Sequence, residues 1–449
     1  MRRQLPPAVV RGKGGASGFN FLFFLSGLSL ANHWQSAVIT APIIIFFAIS
    51  GSRPKKWLLK NSLFFILGLT PYVYLIIRSR SGAVIDHGHP AGILSLMNHV
   101  FRTNYSGEFV KPGFDVLRFQ AGEFYRAVFA SLFMLWPLVI AGFIISITEK
   151  STGERAKLLV PVLFIAASAA VIIFFRRFQD SQCYYLPALF TAVLLLSAAM
   201  AEIFKRRRIY ITAAVILFSV VSAAGQGYYS YKYFSGRDNY LSYDYAMNII
   251  KTAPKDSVYF ASNGFDIMPL YYFRYVSKFK PAMKVVNSTF LAFEWGIRDF
   301  QNEFTPVPME TYQPELNTIN AVKAVSMSRL CFCGYGLKTA SKTGLKHLQA
   351  GITLLASAAA QPEPFYDVFR LYSYRGIYNA AFLGDADNFR LVSNYAGAQS
   401  NYGNDLFAAS KFREAAAAYK RALMLPYRGS RNGMQANLNG ALKRGSLFP

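Results

Sequence analysis

Long apolar runs dominate the first half of the chain. A membrane-spanning helix needs about 20 mostly apolar residues, and the pattern predicts seven spans. They cover residues 18–32, 36–50, 57–77, 127–147, 158–175, 184–204 and 209–229. The first two runs are short, so a re-entrant hairpin is an alternative for that pair. We therefore predict a polytopic α-helical membrane domain over residues 1–233.

The basic residues predict how this domain is oriented. Lys and Arg collect in alternate connections, because cytoplasmic loops of membrane proteins carry an excess of these residues. The basic connections are residues 1–17, 51–56, 148–157 and 205–208. We expect the amino terminus inside and the carboxyl-terminal region outside. A cleaved signal peptide ending near Ala31 is the alternative for the first run.

Composition supports a membrane protein and excludes two other classes. Charged residues make up 16% of the chain, against about 25% in soluble proteins. The net charge of +25 follows from basic loops, and no zinc-finger spacing or basic heptad helix is present, so we expect no nucleic-acid partner. Three cysteines, an odd number without a CxxC pair, argue against a disulfide framework or a zinc site.

After Tyr233 short strand patterns alternate with amphipathic helices. Residues 257–276 and 283–300 each suit a strand followed by a helix, and residues 327–337 and 369–377 suit further strands. We predict an external α/β domain over residues 234–390.

The last segment, residues 391–449, has a purely helical pattern. Small and aromatic residues occupy the offsets of a tetratricopeptide repeat, and residues 434–445 resemble the first helix of another; an Ala-rich helical hairpin is the alternative. The matching positions are Gly403, Leu406, Ala415, Tyr419 and Ala422. About three repeats are normally needed to form a continuous core. We therefore expect these helices to pack on the α/β domain, to bind a partner, or to begin a longer array.

Candidate chemistry is concentrated in the loop between the third and fourth predicted spans. Its polar residues are Asp86, His87, His89, His99, Arg102, Tyr105 and Glu108. Imidazole and carboxylate groups suit several divalent ions, but a polar loop on a membrane surface explains the same residues, and no metal site is predicted.

Two arginines in this region suit a phosphate group. The guanidinium groups of Arg78 and Arg102 have the fork geometry that binds phosphate, although Arg78 also suits a snorkelling anchor at the end of a span. Cations beside carboxylates at a lipid surface favour an enzyme with a lipid-phosphate donor, in which a carboxylate activates an acceptor hydroxyl. A transporter or a structural membrane protein is the alternative.

Six short motifs carry a family resemblance. They are GLSLANHWQ (27–35), PYVYLIIRSR (71–80), DHGHP (86–90), HVFRTNYSG (99–107), SNGFDIMPLYYF (262–273) and VVNSTFLAFEW (285–295). In this order they resemble bacterial members of glycosyltransferase family 117, relatives of the eukaryotic multi-spanning protein O-mannosyltransferase. The resemblance implies a GT-C-like fold. It also implies transfer of a sugar, such as mannose, from a polyprenyl-phosphate donor to a hydroxyl of a protein or glycan on the outer face.

The resemblance also assigns site residues and implies no further cofactor. The family's polar turn corresponds to Asn32 and His33, and the arginine that closes its tyrosine-rich span corresponds to Arg78. Its Trp-Gly-Asp-Pro loop corresponds to residues 87–90, which include His87 and His89. Its Arg-x-x-Tyr pair corresponds to Arg102 and Tyr105, and Gly264 and Asp266 retain part of a motif in the soluble region.

One departure from the family concerns the catalytic base. GT-C enzymes carry a catalytic carboxylate in the first external loop, whereas residues 32–35 contain none. The first hypothesis is therefore a chain that lacks its amino-terminal part or takes the base from an upstream subunit. The second is an enzyme that uses Asp86 or Glu108 instead. The third is a non-catalytic, membrane-anchored scaffold that binds a partner through its external domain and repeats.

Overall fold

The structure, a computed structural model, divides the chain into two compact units, residues 1–228 and 229–449. The described residues are 15–32, 55–83, 85–101, 114, 118, 121–122, 132, 135–148, 186–205, 209–234, 236, 238–261, 264–280, 282–335, 337, 340–357, 367–379, 382–384, 386–426 and 431–446.

The described part of unit 1 is helical. Its helices are α1 (Gly15–Asn32), α2 (Lys55–Gly68), α3 (Thr70–Arg80), α4 (Ile93–Val100), α5 (Trp136–Thr148), α6 (Leu186–Lys205) and α7 (Ile209–Phe234), the last of which continues past residue 228.

The prediction of a seven-span membrane protein is wrong. Among the described helices one stretch, Leu59–Arg80, is long and apolar enough to cross a membrane. Shorter apolar stretches, Asn20–Asn32, Trp136–Ile145 and Thr212–Tyr228, lie within α1, α5 and α7. Apolar composition alone does not distinguish a membrane span from a helix that packs against other helices. The protein is helical with a five-stranded mixed sheet, and the predicted spans 36–50 and 158–175 lie outside the described residues.

Helices α1 and α2 pack closely and run in the same direction. Phe23 meets Trp57 in an edge-on ring contact with centroids 5.8 Å apart. Farther along, a Cβ atom on Gly27 would lie 2.1 Å from the Phe65 carbonyl oxygen, so glycine is required for this approach. The Tyr72 hydroxyl then donates to the carbonyl of Leu30 at the end of α1. From one contact to the next, the residue numbers rise both along α1 and along α2 and α3. The carboxyl ends of α1 and α3 therefore point the same way.

Unit 2 contains one sheet and seven helices among its described residues after α7. The strands are β1 (Val258–Ala261), β2 (Lys284–Asn287), β3 (Cys331–Gly334), β4 (Lys346–Ala350) and β5 (Thr353–Ser357). The helices are α8 (Leu241–Thr252), α9 (Gly264–Tyr271), which continues into a π-helix at Tyr272–Val276, α10 (Glu294–Glu303), α11 (Pro314–Ser326), α12 (Ala386–Ala408), α13 (Phe412–Met424) and α14 (Arg431–Gly445). Short 3-10 helices occupy Ser288–Ala292, Ala340–Thr343, Val368–Leu371 and Phe382–Gly384.

The strand order is β2-β1-β3-β5-β4. Strand β1 pairs in parallel with both β2 and β3, while β5 is antiparallel to β3 and to β4. Strand β1, Val-Tyr-Phe-Ala, which has a parallel neighbour on each side, is buried at every residue. This continuous apolar sequence is typical of a parallel strand with both faces covered.

Two cores lie on the two faces of the sheet. Tyr259 and Ala261 of β1 face a core shared with α8, α9 and the carboxyl-terminal helices. Val258 and Phe260 face the opposite core, shared with α10 and α11. Side chains alternate between the faces of a strand, so β1 contributes to both layers.

The carboxyl-terminal helices pack on this α/β layer. Tyr395 of α12 meets the Tyr245 ring with centroids 5.4 Å apart, and its hydroxyl accepts a 2.7 Å hydrogen bond from Asn248 of α8. The Asp405 carboxylate accepts a 2.8 Å hydrogen bond from the backbone NH of Gln349. These contacts agree with the first of the three expectations for the segment, and the other two stay predictions. Its identity as a tetratricopeptide repeat stays a prediction.

Strands β1, β2 and β3 lie within segments predicted to contain them. The strand predicted at residues 369–377 is wrong: the chain there forms the 3-10 helix Val368–Leu371 and turns. Asn248 holds this segment by donating to the carbonyl of Ser373 and accepting from its NH. These bonds come from a helix more than 100 residues earlier, so the local pattern could not reveal them.

Gly403 should be sensitive to a single methyl group. A Cβ atom there would lie 2.7 Å from the Tyr419 ring, which is buried and held by a 2.7 Å hydrogen bond from its hydroxyl to Asn404. We expect Gly403→Ala to lower the free energy of opening of α13 by about 1–3 kcal/mol through overpacking, measured by amide hydrogen exchange. The matched control Gly440→Ala has open space and should stabilise its helix by up to about 1 kcal/mol. Equal effects would contradict the close packing.

Candidate functional site

A hydrogen-bonded cluster forms where α3 ends. The Ser79 hydroxyl, buried on the last turn of α3, donates to Asp86 Oδ2 over 2.6 Å. His89 Nδ1 lies 2.8 Å from the same oxygen. The Asp86 side chain is 16% exposed and that of His89 is 44% exposed. The loop thus folds back so that one carboxylate joins the helix end to an accessible imidazole.

The backbone of the loop is constrained at two successive residues. Gly88 has φ of 80° and His89 has φ of 49°, so both lie in the left-handed region, which non-glycine residues seldom adopt. A Cβ atom on Gly88 would lie 2.5 Å from His99 Nδ1. The carbonyl of His89 accepts a 2.8 Å hydrogen bond from the NH of Ala91. Such strain persists where surrounding contacts fix it and is often found at functional sites.

Two further contacts anchor the far side of the loop. Arg80 Nε donates to the carbonyl of Ala91 over 2.6 Å. The Ser95 hydroxyl exchanges 3.0 Å hydrogen bonds with the NH and carbonyl of Gly92, at the start of α4. The loop is therefore tied to α3 at one end and to α4 at the other.

His87 has a perturbed pKa. Partial burial lowers the pKa of its imidazole below the usual 6.5, the positive potential of His99 lowers it further, and Asp86 opposes both effects. His87 is therefore mainly neutral near pH 7.

The arrangement suits proton transfer. A carboxylate that accepts from His89 Nδ1–H fixes the tautomer in which Nε2 carries a free lone pair, the geometry by which carboxylates orient histidine bases. Nε2 could then accept a proton from a hydroxyl group. Within the described residues no group of three or more His, Cys, Asp or Glu side chains could hold a metal ion.

The structure brings some predicted site residues together. Asp86, His87, His89 and His99 lie in one loop and the adjoining helix. Arg78 is exposed on the last turn of α3.

Asn32 is exposed at the last residue of α1. Because α1 and α3 point the same way, Asn32 and Arg78 lie toward the same end of the two helices. The remaining predicted site residues, His33, Arg102, Tyr105 and Glu108, lie outside the described residues.

Sequence reasoning missed Ser79 and Arg80. Ser79 is a polar residue between two arginines at the end of an apolar helix, and this interruption was the available signal. Its partner, Asp86, becomes recognisable only when the loop folds back.

No protein-family model, no curated protein and no solved structure matches the chain.

Replacing His99 should change the titration of His87. Because the charge on His99 lowers the pKa of His87, we expect His99→Gln to raise that pKa toward 6.5, measured from the imidazole Cε1–H NMR signals of the five histidines. The matched control His347→Gln, in β4, should leave it unchanged.

The same shift predicts a pH dependence of loop stability. His87 binds a proton more readily in the unfolded than in the folded chain. Its contribution to the stability of the folded loop is therefore complete above about pH 6.5 and is lost as pH falls toward the folded pKa. The protection factors of residues 85–92, which are hydrogen-exchange rates corrected for the intrinsic pH dependence of exchange, should therefore fall below about pH 6.5. A His87 pKa above 6.5 in the intact protein would contradict this electrostatic description.

Proposed function

We propose that the chain is a membrane-bound glycosyltransferase that moves a sugar from a polyprenyl-phosphate donor to an acceptor hydroxyl. The observation that carries the proposal is the carboxylate–imidazole pair Asp86–His89, placed by Ser79 at the end of the apolar helix Leu59–Arg80.

Support for a membrane setting comes from the surface of this helix. Leu63, Ile66, Val73 and Ile77 are all exposed large apolar side chains along it. Contact between apolar side chains and water is unfavourable, whereas contact with lipid tails is not. We place the protein in the inner membrane of a bacterium, with the Asp86 loop at the level of the lipid headgroups. A polyprenyl phosphate carries its sugar at that level.

In the proposed reaction His89 is the general base. Its Nε2 takes the proton from the acceptor hydroxyl as that oxygen forms a bond to the anomeric carbon of the donor sugar. The bond from the anomeric carbon to the phosphate oxygen breaks, and polyprenyl phosphate leaves with its negative charge. Asp86 stabilises the imidazolium that forms.

Arg78 is the residue best placed to hold the donor phosphate. Its guanidinium is exposed on the same helical turn as Ser79, and no hydrogen bond or ion pair engages it among the described contacts. A guanidinium binds a phosphate through two parallel hydrogen bonds, and it stabilises the charge that develops on the leaving group.

The resemblance to glycosyltransferase family 117 adds the substrate class to this chemistry. The chain lacks the carboxylate that the family carries in the first external loop, here residues 32–35. Asp86 supplies a carboxylate at the end of α3 instead. The acceptor is a protein or a glycan, and the sugar is a hexose such as mannose.

The base is tested by two substitutions. Asp86→Asn and His89→Gln should each lower kcat for sugar transfer by about 10²–10⁴, the range that general-base catalysis contributes. The assay uses the purified full chain with polyprenyl-phosphate-linked mannose and measures released polyprenyl phosphate. The matched control His347→Gln changes a histidine of unit 2 and should retain full activity.

Wild-type transfer that both variants retain would overturn the assignment of the base. An unmodified chain that transfers no sugar to protein or glycan acceptors, yet captures a specific partner, would favour the scaffold hypothesis instead.

Donor binding is tested separately at Arg78. We expect Arg78→Gln to raise the KM for the lipid-phosphate donor about tenfold, the effect of losing roughly 1.4 kcal/mol from a charge-assisted contact, with a smaller change in kcat. Lys60→Gln removes an exposed cation of α2 and serves as the control. Equal KM values for both variants would remove Arg78 from the donor site.

A further inference from the structure

An exposed apolar stripe runs along the connection between β1 and β2. Met268, Tyr272 and Val276 are spaced four residues apart on α9 and its π-helical extension, and Phe279 follows in the next turn. Their exposed fractions are 52%, 50%, 69% and 51%. We call these four residues the β1–β2 stripe. Large apolar side chains are seldom clustered on the surface of a soluble domain unless the cluster is a binding site.

The stripe stands on a rigid support. The opposite side of α9 is buried through Ile267 and Leu270 in the core of unit 2. Phe273, also buried, contacts the Phe279 ring with centroids 6.4 Å apart and the Tyr243 ring at 4.9 Å. The apolar side chains are therefore held outward by packing beneath them.

The turn that carries Phe279 has a strained backbone and is held by hydrogen bonds. Lys278 and Lys280 have φ of 51° and 54°, a region that costs a non-glycine residue free energy. The NH of Phe279 donates to the carbonyl of Phe273 over 2.8 Å. The Lys280 ammonium donates to the carbonyls of Ile250, over 2.6 Å, and of Ala253 at the end of α8. These contacts keep Phe279 at the surface.

The surroundings of the stripe are basic. Residues 264–284 contain four cationic side chains and one carboxylate, and that carboxylate, Asp266, is buried. Arg274 and Lys284 share the carboxylate of Glu303, and Lys278 is exposed. The stripe is thus an aromatic and aliphatic surface beside the exposed cation Lys278, while Glu303 partly offsets the charges of Arg274 and Lys284.

We propose that the β1–β2 stripe docks unit 2 onto the surface of an anionic lipid bilayer. Tyr272 and Phe279 are of the type that enters the headgroup region, while lysine and arginine are attracted to anionic lipids. A protein partner of the same surface would need acidic groups opposite these cations, whereas an anionic bilayer supplies negative charge at every position. The inference rests on unit 2 alone and is independent of sugar transfer.

The test measures the accessibility of single residues in the full chain. Val276→Cys and Phe279→Cys are reconstituted in nanodiscs of phosphatidylcholine, with or without phosphatidylglycerol, which leave both membrane faces open to solvent. Reaction with a membrane-impermeant maleimide should be about tenfold slower in the phosphatidylglycerol discs. Met327→Cys, at an 80% exposed apolar position between α11 and β3, is the matched control and should react equally in both. The unsubstituted chain gives the background from native cysteines.

A charge variant distinguishes docking on anionic lipid from burial of the stripe by another contact. Lys278→Glu, added to Phe279→Cys, should restore fast labelling in phosphatidylglycerol discs. Lys323→Glu, on an exposed position of α11, should not.

Equal labelling of Phe279→Cys in both lipids would overturn the proposal. Protection that appears only when a second protein is added would overturn it as well, because the cover would then not be lipid.

Discussion

A carboxylate that leaves bulk water needs partners for its charge, and this constraint shapes the loop after α3. Asp86 takes them from Ser79, on the helix, and from His89, three residues farther along. Both contacts converge on a single oxygen, so the loop must turn back over the helix end. The left-handed backbone at His89 is the conformational cost of that reversal, because glycine adopts the same region at Gly88 without strain, and the contacts of Asp86 offset it.

A second constraint organises unit 2. A strand with parallel neighbours on both sides is covered on both faces, and β1 obtains this cover from α8 and α9 on one side and α10 and α11 on the other. The sequence predicted the first three strands because β-branched and aromatic residues are concentrated in these segments. It missed β4 and β5, whose hairpin turns at Gly351 with φ of 54°. Seven spans were predicted because an apolar run is typical both of a membrane span and of a helix packed against other helices.

The candidate site was predictable in part. The clustering of Asp86, His87 and His89 in one polar loop is visible in the sequence, and the structure places them together. The role of Ser79 was not visible, because Ser79 meets Asp86 only when the loop turns back over the helix end. That turn requires a positive φ at His89, and histidine in a sequence does not indicate a positive φ. Orientation by a carboxylate is a property of three-dimensional contacts, so sequence spacing identifies the participants and not their geometry.

The account depends most directly on how Asp86 orients His89. Nitrogen-15 NMR of the full chain, labelled at histidine, distinguishes the two neutral tautomers of each ring. We expect His89 to carry its proton on Nδ1, facing Asp86, and to leave Nε2 unprotonated, with this preference lost in Asp86→Asn. A His89 ring protonated on Nε2, or a tautomer unchanged by Asp86→Asn, would contradict the proposed base.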